Sequence, residues 1–126
     1  MFTKWYSTDN DCYQHMRKDG RVYEMIQCVW LDTTEEDRLL GRHEYVIVRC
    51  DVDMSKVTMF DVKRALSAYG YNVNDLANEY GYVVATDIIA ECILEEDIVR
   101  DSCIIDVADT FKEAKEKIDK IISENN

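Results

Sequence analysis

Two carboxylates at alternate positions, Asp51 and Asp53, are residues whose type and spacing could do chemistry. On an extended strand they share one face and can hold Mg²⁺ through oxygen, with Glu44 or Asp61 as a third ligand. The plainer reading is a polar strand end that enters a turn before Met54-Ser55-Lys56. No base or phosphate site accompanies the pair, so a metal-dependent enzyme ranks third among the functional readings. Cysteine–histidine catalysis needs a thiolate beside an imidazole. Cys12, Cys28, Cys50, Cys92 and Cys103 offer many pairings with His15 and His43, and no spacing selects one. No C-x-x-C pair occurs, which speaks against a zinc finger or ribbon. Glycine-rich phosphate loops and the G-x-S-x-G elbow are absent from the sequence. Carboxylate pairs for glycoside chemistry can be drawn from the acidic part of the chain, but nothing marks one with a raised pKa. The expectation is a protein that is not an enzyme and uses no cofactor or metal.

Charge is the more informative feature. The chain of 126 residues carries a formal charge of −11. Residues 71–110 hold ten acids against Arg100 alone, so −9 of that charge lies there, while residues 111–126 balance. A one-sided field of this size repels nucleic acid and anionic membrane and speeds association with a basic partner. Acidity that only maintains solubility is the competing explanation.

The leading expectation is therefore a small, non-catalytic binding protein. Its docking surface would comprise Asp87, Glu91, Glu95, Glu96, Asp97 and Asp101, with Tyr71 and Tyr82 as aromatic anchors and Trp5 as a further candidate. Its partner would be a basic protein, a nucleic-acid-binding protein or nuclease, inhibited by competition with phosphate for a lysine- and arginine-rich groove. In size and charge the chain resembles small acidic inhibitors of phage, such as DNA mimics and anti-CRISPR proteins, although no motif ties it to one family. The alternative is a small regulatory or structural subunit that homodimerises through a sheet edge or its C-terminal helix.

These residues must be positioned by a single domain, residues 1–126, since no proline and only four glycines are available to build a linker. The predicted class is α+β, an antiparallel sheet of three to four strands with helices packed mainly on one face. Asp19-Gly20 predicts a hairpin between Cys12–Lys18 and Arg21–Leu31, with a short helix over 9–18 as its competitor. Arg21–Leu31 is apolar on both alternating faces, as a central strand requires. Over 43–52, Val46, Val48, Cys50 and Val52 share one face, opposite Tyr45, Ile47, Arg49 and Asp51. The link 32–42 contains Thr33-Thr34 followed by acids, which can cap a helical turn.

Thr58 with Asp61 opens a helix ended by Gly70, and a shorter helix spans Asp75–Tyr80 before Gly81. The repeated Tyr-Gly-Tyr at 69–71 and 80–82 reads as two glycine caps in preference to an aromatic binding surface. Residues 86–97 predict a helix, with a strand as competitor, that lines Asp87, Glu91 and Glu95 along one solvent face. Ser102–Ala108 predicts the last strand, with Cys103, Ile105 and Val107 inward. Thr110 with Glu113 caps a final helix whose buried stripe is Phe111, Ala114, Ile118, Ile121 and Ile122. Unpaired cysteines in apolar runs, with no signal peptide and no run long enough to cross a bilayer, predict the cytoplasm.

Overall fold

A computed structural model describes residues 2–9, 13–31, 34–97 and 103–124. The order is β1 (Tyr6–Asp9), β2 (Gln14–Asp19), β3 (Val22–Trp30), α1 (Glu35–Leu39), β4 (Tyr45–Asp53), α2 (Met59–Ala68), α3 (Val73–Tyr80), α4 (Tyr82–Asp97), β5 (Ile104–Ala108) and α5 (Phe111–Glu124). All neighbouring strands pair antiparallel, in the order β1-β2-β3-β4-β5. The class is α+β, and the sheet has five strands where three to four are expected. The addition is β1, a four-residue edge strand whose Tyr6 pairs with Met16. A polar stretch that short carries no readable periodicity.

Helices α2–α4 gather on one face of the sheet, in keeping with helices packed mainly on one face, and α5 covers the other. On one face α4 sets Ala90 and Leu94 against Met16, Tyr23, Met25, Val46, Val48 and Cys50. On the other, α5 sets Ala114 and Ile118 against Trp5, Ile26, Cys28, Ile47 and Ala108. The cause is in β3 and β4, which are apolar on both alternating faces; one layer of helices would leave Ile26 and Ile47 in water. A third cluster joins α2, α3 and α4 through Ala65, Leu66, Leu76, Ile89 and Ile93. Helix α4 is thus sandwiched between sheet and helices, which explains why it is apolar over more than one stripe.

Local signals operate as the sequence predicts. The β2–β3 loop is Gly20-Arg21 with only Gly20 at positive φ, the placement a two-residue hairpin with glycine first requires. Capping boxes close Thr34 on Asp37 and Thr58 on Asp61. At the end of α2 the Tyr71 amide donates to the Leu66 carbonyl (3.0 Å) and that of Gly70 to Ser67 (3.2 Å), a Schellman motif with Gly70 at φ +72°. A Cβ at Gly70 would meet open space, so Gly70→Ala is a test of backbone strain alone. It is expected to cost about 1–2 kcal/mol in urea denaturation.

Boundaries and register differ in places; α3, for one, starts at Val73, two residues before the expected Asp75. Helix α4 starts at Tyr82, four residues before the expected 86, because Gly81 both ends α3 and accepts the first α4 bond from Ala85. In β5 the register shifts between Ile47 and Val48, which pair with Asp106 and Ile104. This bulge leaves Ile105 opposite no partner and 46% exposed, whereas Cys103 and Val107 pack inward as expected. No helix among the described residues is long and apolar enough to cross a membrane.

Candidate functional site

The acids of α4 are less alike than their spacing implies. Asp87 accepts from the Tyr23 hydroxyl (2.5 Å) and from Lys18 Nζ (3.1 Å). Glu91 accepts from Gln14 Nε2 (3.0 Å), a residue buried in β2. Glu95 accepts from the Tyr69 hydroxyl (2.6 Å), and Glu96 lies 3.7 Å from Arg64 Nε. The expected single solvent face of Asp87, Glu91 and Glu95 does not exist. Each step of four residues turns a helix by about 40° beyond a full circle, so the row winds from the β2 side toward α2. Asp97 ends α4, and Asp101 lies outside the described residues, as do Cys12 and Ser102.

The tyrosines define the site better. Tyr82 is 80% exposed and Tyr71 49%, so both expected anchors lie on the surface. Tyr69 and Tyr80, taken from the sequence only as helix-end residues, stand beside Tyr71. The rings of Tyr69 and Tyr71 stack with centroids 6.3 Å apart and planes 20° apart. With Tyr80, Leu76, Ile88, Cys92, Glu91 and Glu95 they line a cavity of about 260 Å³. A neighbouring depression shares Tyr71 with it, and a further one shares Met59 and Val73 with that depression but no residue with the cavity. One, of about 420 Å³, runs from Tyr71 to Met59 and Lys63; the other, of about 460 Å³, runs from Met59 past Val73 to Tyr82 and Val83. The three form a chain of depressions on α2–α4 bordered by exposed aromatic and apolar side chains, with Tyr82 and Val83 at the end that shares no residue with the tyrosine cavity. The signal in the sequence was the Tyr-Gly-Tyr repeat. The glycines end the helices as the cap reading expects, and the tyrosines beside them remain exposed.

Electrostatics separate these depressions. Lys63 borders the depression of about 420 Å³, and Lys18 and Arg21 border the one that reaches Tyr82. Among the described residues the tyrosine cavity is lined by carboxylates and no base. Burial, then the fields of Glu95, Glu91 and Glu96, push the Cys92 thiol up to about 12. Burial and the bond to Glu95 raise the Tyr69 hydroxyl. A thiol held protonated in this way is the reverse of an activated nucleophile.

The remaining candidates are dispersed. Asp53 accepts from the Ser55 amide (3.0 Å) and hydroxyl (2.6 Å), capping the turn Met54–Lys56. Asp61 is bound into its capping box and Glu44 pairs with Arg38, so neither joins Asp51 and Asp53. Among the described residues no three His, Cys, Asp or Glu are grouped to hold a metal. His43 pairs with Asp109, and His15 packs edge-on against Tyr13 (4.8 Å).

Trp5 is overturned as an anchor. It belongs to the core on the α5 face, with the Arg17 guanidinium 4.4 Å from its ring centroid. Arg17 reaches this position because Glu24, its cross-strand neighbour, bridges it (3.1 Å) to Arg49 (2.7 Å).

The caps set a pH dependence. Hydrogen bonds from Thr58 hold the Asp61 carboxyl below its ordinary value of 3.8, and hydrogen bonds from Ser55 do the same for Asp53. A depressed folded pKa means that the unfolded chain takes up protons first, so the stabilisation is present above 3.8 and disappears as pH falls through the folded values. Thermal melts are expected to hold steady above that point and drop below it, with a shallower drop for Asp61→Asn.

Comparison of the chain with protein-family models, characterised proteins and solved structures finds no match.

Proposed function

We propose that this chain is a non-catalytic binding module that docks the tyrosine-rich face of α2–α4 onto a basic protein. The observation that carries the reading is the exposure of Tyr71, Tyr80, Tyr82, Val83, Met59 and Phe60 on one set of packed helices. Monomeric surfaces rarely leave so many large apolar groups together without a partner, and tyrosine is a favoured interface anchor. The chain's net charge of −11, mostly within 71–110, selects a basic partner. A nucleic-acid-binding protein or nuclease presents such a surface, and occupying it blocks phosphate. The docking surface proposed here differs from a plain row of acids: Glu91, Glu95 and Glu96 supply the field around aromatic anchors, while Asp87 serves as a strut to the sheet.

The test is capture from a cell lysate by wild type, by a Tyr71→Ala/Tyr82→Ala variant and by a Glu95→Gln/Glu96→Gln variant. The reading requires a nucleic-acid-binding protein that is retained by wild type, released by added salt or by competing DNA or RNA, and lost with the tyrosines. A captured protein indifferent to nucleic acid and to both variants would refute it.

A second reading has its own observation. Strand β5 ends the sheet and exposes Ile104 and Ile105, so two copies could pair edge to edge. Sedimentation that finds a dimer, abolished by Ile105→Lys, would favour a homo-oligomeric subunit.

A further inference from the structure

We infer that the cavity between Tyr69, Tyr71, Tyr80 and α4 receives a single arginine side chain of the partner. The inference rests on the docking reading above and adds to it one site and one ligand chemistry.

Size restricts the ligand first. Small-molecule sites usually span roughly 300–1,000 Å³. At about 260 Å³ this cavity suits one long side chain. Charge restricts it next. Among the described residues the wall carries Glu91 and Glu95 and no base, whereas Lys63, or Lys18 and Arg21, border the other two depressions. A cation approaching this face is therefore drawn to one of three openings. Geometry then favours guanidinium over ammonium. Tyr69 and Tyr71 stack nearly parallel, 20° apart, and both line the cavity, so a planar group can continue the stack. A guanidinium stacks on aromatic faces and directs several N–H donors at carboxylates in its own plane, which a lysine ammonium cannot do.

The receiving groups are already held. Glu95 is oriented by the Tyr69 hydroxyl (2.6 Å) and Glu91 by Gln14 (3.0 Å), so little side-chain ordering remains when the ligand enters. Tyr80 adds a third ring to the wall, and the field of Glu79, with burial, raises its hydroxyl.

The experiment uses the full chain with isotope-labelled tyrosine, titrated with acetyl-Gly-Arg-Gly-amide and with its citrulline and lysine counterparts. Citrulline keeps the planar shape of arginine and removes the charge. The expected result is saturable ring shifts for Tyr69, Tyr71 and Tyr80 with the arginine peptide. Binding should be about tenfold weaker with citrulline, and weaker with lysine than with arginine. Glu95→Gln should weaken the arginine peptide about fivefold or more, and Tyr71→Leu, which keeps bulk and removes the π face, should do likewise. Equal binding of citrulline, equal binding of lysine, or indifference to both substitutions would overturn the assignment. Thermal melts of the variants separate loss of the site from loss of the fold. If the arginine peptide fails while partner capture still depends on Tyr82, the cavity assignment falls alone. If the peptide binds as described while no basic partner is captured, the docking reading falls and the cavity stands.

Discussion

Replacing Glu24 by alanine is expected to destabilise the fold by about 3–5 kcal/mol, the largest loss from any single side chain outside the apolar core. Glu24 stands on β3 between Arg17 on β2 and Arg49 on β4, and one carboxylate oxygen accepts from both guanidinium groups. Arg17 is only 8% exposed, packed among Phe2, Trp5 and the sheet. Removing the carboxylate leaves two like charges close together, one of them largely shut off from water. That penalty exceeds what the pair itself contributes, because desolvation has already been incurred by the folded state. Domains of this size are stable by about 5–15 kcal/mol, so the variant would sit near the unfolding threshold. Urea denaturation measures it directly. Glu24→Gln, which keeps an acceptor, should fall between. A Glu24→Leu/Arg17→Met variant should recover much of the loss, since apolar groups of similar size can replace a buried ion pair. A cost for Glu24→Ala below about 1 kcal/mol would mean that the cluster behaves as an exposed surface pair.

The second large effect concerns binding. Tyr71→Ala and Tyr82→Ala are each expected to weaken the basic partner by about 30-fold or more, the loss typical of an aromatic hot spot worth about 2 kcal/mol. Both side chains are at least half exposed or nearly so, and neither belongs to a core cluster, so melting temperatures should hardly change. Asp87→Asn should behave in the opposite way. Its carboxylate ties the buried Tyr23 and Lys18 to α4, so the substitution should lower the melting temperature and leave affinity nearly intact. Affinity and thermal stability measured side by side on these three variants separate anchors from struts. Equal affinity for wild type and both tyrosine variants would remove this face from the interface.

The contrast between Asp87 and Tyr71 marks the limit of sequence reasoning here. Both were named from the sequence as parts of one docking surface. Linear spacing placed Asp87 in a row with Glu91 and Glu95, but a row at i, i+4, i+8 drifts around the helix, and α4 is packed on more than one side. Asp87 became an internal partner of the sheet, while Glu91, although held by Gln14, also lines the tyrosine cavity. Trp5 failed as an anchor for a related reason: a lone aromatic residue in a polar N-terminal stretch says nothing of which strand it will lie against. The bulge at Ile105 and the edge strand β1 were equally out of reach, since each depends on the neighbour that pairs with it.

What the sequence alone determined was local. Asp19-Gly20, the threonine–acid caps, the glycines at 70 and 81, and the two-faced apolar patterns of β3 and β4 act over a few residues, through backbone geometry and hydrogen bonds their own neighbours supply. These set the class of fold and most element boundaries. The tertiary structure decided which face of each helix met the sheet, and therefore that helices lie on both sides of it. It also decided which of the acids are struts, and that three tyrosines from two helix ends close around one carboxylate-lined cavity. The physical reason is that burial is a property of surfaces brought together. A carboxylate or a phenol has the same identity in either setting, and only the packing around it determines whether it holds the fold or faces a partner.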